Sequence, residues 1–428
     1  MRFLEELAAR RRFGMRPGLE AIRAACAALG DPQERFPAIH VAGTNGKGAV
    51  CALLDATLRA RGLRVGRYTS PHLIRLNERF FLDGAPVDDT VLERVSDRVR
   101  RTIEPSDRRT IADLTFFEAL TAVAFCLYAE AKVDLAVLEC GLGGRLDATN
   151  VCRPQLCVIT KIGLDHCDWL GATEEAIAGE KAGIVKPGVP IVLGRNEPSV
   201  RAVVETRART VGAPYFYAPE LASEADIPDG FSLDGTFNRE NAVTALAALK
   251  VLCGDEDVGA AVRQGFGQVV WPGRFQRIGD VIVDGAHNPP AARALADALQ
   301  GQKVALVAGF CGDKDVDRVL SILAPHVTHG FAVRTNNPRS LAAEDVAAKM
   351  RSAGIASVAC NGLSEALERA RKTESTTLVC GSLFLAGEAL VALEACPWPS
   401  PRFDPAELLS PKTKAQNFKT ETTNDERK

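Results

Sequence analysis

Between His40 and Val50 the chain reads His-Val-Ala-Gly-Thr-Asn-Gly-Lys-Gly-Ala-Val, an apolar run leading into a glycine-rich turn that holds one lysine. Glycines let backbone N–H groups turn toward phosphate oxygens, a following helix adds positive potential, and Lys47 adds a full charge. The chemistry this permits is binding of a nucleoside triphosphate along Gly43, Thr44, Asn45, Gly46, Lys47 and Gly48. Two positions depart from the general phosphate-loop pattern: Val41 stands where the first glycine belongs, and Ala49 follows Gly48 where Ser or Thr is usual. A glycine-rich turn with one lysine is by itself ordinary turn chemistry. The order of strand, glycines, lysine and then a helix over Ala49–Leu58 favours phosphate.

Residues able to complete such a site recur just after apolar, strand-like runs. Ser70-Pro71-His72 follows Val65–Thr69, Glu139 follows Val133–Leu138 and precedes Gly141-Leu142-Gly143-Gly144, and Asp165-His166 follows Val158–Gly163. Asp284-Gly285-Ala286-His287-Asn288-Pro289 follows Val281–Val283, and Gly381-Ser382 ends the last run. Each alone reads as a turn. Together they read as the ligand-binding edge of open α/β sheets, beyond the carboxyl ends of the strands. A nucleotide brings Mg²⁺, which takes oxygen ligands and water. Glu139 is the best carboxylate for it, and Ser70 supplies a hydroxyl that Ala49 lacks. His166 reads either as a second metal or phosphate ligand or as a loop-capping histidine. Lys181, in the helix-like Gly179–Ile184, reads by position alone as a solvated lysine beside Glu180.

The elements that must position these groups are strand-like runs alternating with helical patterns. Candidate strands are Ala38–Ala42, Arg64–Thr69, Val133–Leu138, Leu156–Lys161 and Ile191–Leu193, then Val281–Val283, Val304–Ala308, Gly330–Val333 and Thr377–Cys380. Glu118–Glu130 and Ala291–Leu299 have helical periodicity. Alternating βα units predict an α/β fold with two domains, each a mostly parallel sheet flanked by helices. A hinge is expected at Gly265–Gly279, around Trp271-Pro272-Gly273. The expected division is 1–272, 273–396, and a poorly ordered tail over 397–428, where Pro, Ser, Thr, Lys and Glu dominate.

At 428 residues the chain exceeds one ordinary core, which supports two domains. Its 46% hydrophobic and 25% charged residues fit a soluble globular protein, and a net charge of −2 offers no field for nucleic acid or an anionic membrane. The longest apolar run, Ala119–Ala129, is too short to span a bilayer. Glu5, Glu6 and Arg10–Arg12 leave no signal-peptide core. Twelve scattered cysteines without a C-x-x-C pair fit reduced thiols in a cytoplasmic protein.

Nine phrases, in order over roughly residues 13 to 390, resemble the folylpolyglutamate synthase/dihydrofolate synthase family within the Mur-type amide ligases. They are His40–Gly48, Tyr68-Thr-Ser-Pro-His-Leu73, Glu139-Cys-Gly-Leu-Gly-Gly-Arg-Leu-Asp-Ala-Thr-Asn150, and Ile162-Gly-Leu-Asp-His166 with Trp169-Leu-Gly171. Gly179-Glu-Lys-Ala-Gly-Ile184, Trp271-Pro-Gly-Arg-Phe275, Asp284–Pro289, Asp313-Lys-Asp315 and Gly381-Ser-Leu-Phe-Leu-Ala-Gly387 complete the set. The resemblance implies a P-loop ATPase-like N-terminal domain and a smaller Rossmann-like C-terminal domain. It implies that Thr44–Lys47 hold ATP phosphates, that Ser70, Glu139 and His166 bind two magnesium ions, and that Lys181 is carboxylated. Asn241, Arg274 and Asp284 match further nucleotide contacts. His287 and Ser382 match positions near the incoming glutamate. Thr115, Phe116, Phe117 and Glu118, with Leu146, Asp147 and Ala148, match pterin-binding segments. Ala49 and the pair Phe237-Asn238, where related ligases often carry His-Gln, depart from the family pattern.

The implied reaction is ATP-dependent addition of L-glutamate to dihydropteroate, to reduced folates, or to both, with Lys47 and magnesium stabilising phosphoryl transfer and His287 as base. The implied partners are these small molecules alone, with no nucleic acid or membrane, and a monomer is the default. One rival is a ligase for a nucleotide-linked cell-wall peptide; only about forty residues precede the phosphate loop, too few for a nucleotide-sugar domain. Another is a nucleotide-binding regulator without catalysis, which Ala49 keeps open and Glu139, His166 and Lys181 oppose.

Overall fold

A computed structural model of the chain describes residues 18–103, 114–254 and 258–398. The expected tail therefore falls, from residue 399 onward, outside the described residues. The first part holds β1 (Ala38–Ala42), β2 (Val65–Tyr68), β3 (Phe80–Leu82), β4 (Ala85–Pro86), β5 (Leu135–Glu139), β6 (Leu156–Ile159), β7 (Ile191–Leu193) and β8 (Tyr215–Tyr217). The second holds β9 (Gln276–Ile278), β10 (Val281–Val283), β11 (Val304–Ala308), β12 (Val327–Ala332), β13 (Ser357–Ala359) and β14 (Thr376–Cys380).

Two sheets result, in the orders β4-β3-β2-β5-β1-β6-β7-β8 and β13-β12-β11-β14-β10-β9. From β2 to β8 every pairing of the first sheet is parallel, and the β3–β4 hairpin adds antiparallel strands at one edge. In the second sheet only β9 is antiparallel. The expected class, two mostly parallel sheets flanked by helices, is the observed one.

Alternation sorts each strand between two cores. Ala136 and Leu138 of β5 face the core under helix Phe116–Ala131, while Leu135 and Val137 face helix Lys47–Ala60. The run Ala119–Ala129 is thus the middle of a buried helix, apolar all round because it is covered all round. Among the described residues no helix is long and apolar enough to cross a membrane.

Part of the segment expected as a hinge lies in regular elements. Gly265 lies in helix Gly259–Gln268, pressed so closely on helix Lys47–Ala60 that an added Cβ would stand 2.6 Å from the Thr57 nitrogen. Gln276–Ile278 are already β9. The connection is therefore residues 269–275, and its Trp271 lies on the phosphate loop, 2.1 Å from where a Cβ on Gly48 would be.

Beneath this junction, Arg67 of β2 is buried with Asp55, Nη1 to Oδ2 3.3 Å, and its guanidinium lies 3.7 Å from the Phe81 ring centre and 5.5 Å from that of Trp271. Removing one member of a buried pair strands the other charge. Asp55→Ala is expected to cost about 3 kcal/mol in urea unfolding, and pairing Asp55→Leu with Arg67→Met to recover most of it. A single variant with unchanged stability contradicts this account.

Candidate active site

β1 lies between β5 and β6, so the segments leaving all three meet at one edge. The phosphate loop leaves β1 and is tied to the segment after β6: Thr44 and Asn45 N–H groups donate to the Lys161 carbonyl at 2.9 and 3.2 Å. The Thr44 hydroxyl donates to the Gly163 carbonyl at 3.0 Å. Those two amides are thus spent within the protein, and the anion-facing donors shift toward Lys47, Gly48 and Ala49, whose N–H groups open the helix without intrahelical acceptors. Gly46 makes the turn at φ 86°, and a Cβ there would overlap the Asn241 amide oxygen at 2.1 Å. Asn241 is therefore seated against the loop. The Lys47 ammonium curls back onto the Gly43 and Thr44 carbonyls at 3.2 and 3.1 Å.

Glu139 is the last residue of β5, buried at the floor of the cleft, and its Oε2 accepts the Ser70 N–H at 2.9 Å. Burial pushes its carboxyl up, while Lys47, the Ser70 amide, Arg274 and Arg79 pull it down. His166 lines the same cleft, opens the short helix Cys167–Leu170 at φ 53°, and keeps its side chain 40% exposed. Among the described residues no three His, Cys, Asp or Glu side chains form a metal cage. A hard cation held by few protein oxygens, phosphate and water needs none, and the Ser70 hydroxyl and Glu139 carboxylate suit it.

Lys181 is not a solvated helix lysine. It is 3% exposed, and its Nζ donates to the Gly43 carbonyl at 2.7 Å, beneath the phosphate loop. Burial, then the neighbouring Lys47, lowers its pKa to about 7. A small chamber of about 40 Å³ joins Lys181 to Lys47, Cys140, Gly141, Asp165 and His166.

The second sheet supplies the opposite wall of one cleft of about 2080 Å³. Arg274 enters it from the connection. Asp284, expected at a ribose, spends Oδ2 on the Phe275 N–H and Oδ1 on the Ala286 N–H, both at 2.7 Å, so it also shapes the junction. His287 Nδ1 meets the Gly285 carbonyl at 2.8 Å, and burial and Lys314 lower its pKa to about 4. The carbonyl can only accept, so Nδ1 carries the proton and Nε2 is left with its lone pair. Ser382 caps helix Leu383–Ala392 by accepting the Leu385 N–H at 3.0 Å.

The pterin-matched segments divide. Thr115 and Phe116 line the cleft. Phe117 instead packs under Gly141, and Glu118 closes a capping box with Thr115. Leu146, Asp147 and Ala148 stand off the cleft wall; Asp147 accepts the Gly141 and Leu142 N–H groups, each at 2.9 Å, and so holds the loop after Glu139.

Four groups without an assigned role also line the cleft: Asp165, Asn288, Lys314 and Arg79. Asp165 receives Asn288 Nδ2 at 2.8 Å and Lys314 Nζ at 3.3 Å, joining the two domains across the cleft. Both partners lie in quoted phrases, so the signal was present. Arg79, on the cleft wall, gave no signal beyond its residue type.

Residues 273–383 match the family model described as Mur ligase, glutamate ligase domain. The dihydrofolate synthase/folylpolyglutamate synthase of Bacillus subtilis is 35% identical, over 79% of this chain and 85% of the relative. A Mycobacterium tuberculosis folylpolyglutamate synthase structure complexed with ADP and AMPPCP matches with TM-score 0.84 at 33% identity, covering 90% of this chain and 97% of that one. The bifunctional folylpolyglutamate synthase/dihydrofolate synthase of Yersinia pestis, complexed with AMPPNP and Mn ion, matches with TM-score 0.79 at 32% identity, over 90% and 95%. On fold, cleft and these likenesses together, the chain belongs to the dihydrofolate synthase/folylpolyglutamate synthase family of Mur-type ligases.

Proposed function

We propose that this protein is an ATP-dependent acid–amino-acid ligase that adds L-glutamate to dihydropteroate and to the γ-carboxylate of reduced folates. The observation that carries this is the cleft, which sets the phosphate loop and Glu139 on one wall, with Lys181 in the small chamber beneath the loop, against Arg274 and His287 on the other. Carboxylates are poor electrophiles. The γ-phosphoryl group of ATP passes to the acceptor carboxylate, releasing ADP and making an acyl phosphate. The glutamate amine then attacks its carbonyl carbon, and phosphate leaves. Lys47 and the amides opening its helix offset the charge of the transferring group. Ser70, Glu139 and His166 would hold a magnesium ion, which would supply Lewis-acid neutralisation of the phosphates. Neutral Lys181 can add to CO₂, losing one proton and becoming a carbamate whose oxygens extend that donor set. The paired walls exclude water from the acyl phosphate.

The free lone pair on His287 Nε2 supports a role for it as acceptor of the amine proton. His287→Ala is expected to lower turnover about 100-fold with little change in ATP affinity. A variant with full turnover removes it from the mechanism. A pure nucleotide-binding regulator would need neither a buried lysine under the loop nor a second wall. The deciding experiment is ADP release with Mg-ATP and glutamate, offering dihydropteroate or tetrahydrofolate. Turnover with both is expected. ATP binding without turnover on either acceptor overturns the proposal.

A further inference from the structure

A guanidinium on the cleft wall makes no direct ion pair among the described residues. Arg79 ends the short helix Leu76–Arg79, and its carbonyl accepts the Thr69 N–H at 3.1 Å, which fixes it one residue from Ser70. Its Nε donates to His72 Nδ1 at 2.9 Å, and its guanidinium carbon lies 5.9 Å from the centre of the Phe116 ring. Glu78, the adjacent acid, is turned away: its oxygens take the Leu73, Ile74 and Arg75 N–H groups at 2.7, 3.2 and 2.9 Å. Among the described residues no carboxylate pairs with Arg79. A partly buried cation left unpaired is costly, and a planar fork donor suits a carboxylate.

Resting on the function proposed above, we infer that Arg79 binds the free α-carboxylate of a folate acceptor and thereby admits folates as substrates for extension. The carboxylate to be activated must lie by Lys47, Ser70 and Glu139, and Arg79 is within electrostatic reach of Glu139. In a folate the terminal glutamyl group places its α-carboxylate a short aliphatic chain from the activated γ-carboxylate. Dihydropteroate has only the carboxylate that is activated, so it brings nothing for Arg79 to hold. Of the other guanidiniums lining the cleft, Arg274 stands beside Asp284, Arg75 beside Glu78 and Cys396, Arg339 pairs with Asp313, and Arg293 and Arg334 belong to the wall supplied by the second sheet.

The test compares kcat/KM for dihydropteroate, tetrahydrofolate and the α-amide of tetrahydrofolate in the full chain, Arg79→Gln and Arg79→Lys. Arg79→Gln is expected to lose about 50-fold on tetrahydrofolate, chiefly in KM, and less than about threefold on dihydropteroate. The unaltered chain should prefer the α-carboxylate to the α-amide, Arg79→Gln should not, and Arg79→Lys should fall between. Equal losses on both natural acceptors, or unchanged discrimination against the α-amide, overturn the inference. So does an unaltered chain that accepts dihydropteroate alone. Should Arg79→Gln fail to fold, the α-amide comparison with Arg79→Lys decides alone. An unaltered chain inactive on every acceptor defeats the ligase proposal instead, which keeps the two failures distinct.

Discussion

Glu139→Ala lowers ADP release by about 10³-fold, the larger end of losses seen when one preorganised charge-stabilising group is removed. The expectation follows from the surroundings of this carboxylate. Lys47, Arg274 and Arg79 all act on it, and it is buried at the meeting point of the phosphate loop and the Ser70 turn. With the carboxylate gone, the cations lose a nearby buried anion, and the magnesium site proposed above loses its one buried carboxylate. Glu139→Gln separates charge from position, since its amide oxygen can still accept the Ser70 N–H. The glutamine variant is therefore expected to keep its thermal stability and to require far more magnesium for residual turnover. A thermal melt measures the first, and steady-state ADP release against magnesium concentration measures the second. Glutamine turning over at the unaltered rate would mean that Glu139 is only a fastening for the Ser70 turn.

Much of this site was legible because chemistry and punctuation coincide along the chain. Glu139, Ser70 and the phosphate loop each sit where an apolar run stops, and parallel strands carry such stops to one edge. The buried state of Lys181 was not legible. Gly179-Glu-Lys-Ala has no apolar stripe, and burial comes from Gly43 and Lys47, which are distant in the chain. Five strands were missed: β3, β4, β8, β9 and β13. Each has only two or three residues, too short for alternation to register, and they lie at or beside sheet edges where polar residues are tolerated. Asp284 and Glu118 show the opposite limit. Motif position marks them for ligands, yet both spend oxygens on nearby backbone N–H groups, a role that residue type alone cannot separate from contact with substrate.

Lys181→Ala is expected to lower turnover about 10³-fold as well, but for a reason that leaves a different signature. If Lys181 works as a carbamate, the missing part is an anion. Small carboxylates such as acetate should then restore part of the activity of the alanine variant, while methylamine should not. Carbamate formation needs the neutral amine, and the groups that set its charge are Lys47, Cys140, Asp165 and Asp147 around a buried Nζ. With a pKa of about 7, the amine is charged and unreactive toward CO₂ in acid and becomes available above neutrality. Turnover should therefore fall below about pH 7 and depend on dissolved CO₂, and the alanine variant should lose that dependence. Stability carries the same sign in the unmodified enzyme. Between a folded pKa of about 7 and the ordinary lysine value of 10.5 the unfolded chain holds the extra proton. The penalty for burying the charge is thus full below pH 7 and is relieved as pH rises. The alanine variant should lack this rise between pH 7 and 10 in urea unfolding. Rescue by methylamine, or turnover indifferent to CO₂, would instead make Lys181 a cation for the phosphates, working beside Lys47 despite the mutual repulsion that lowers its pKa.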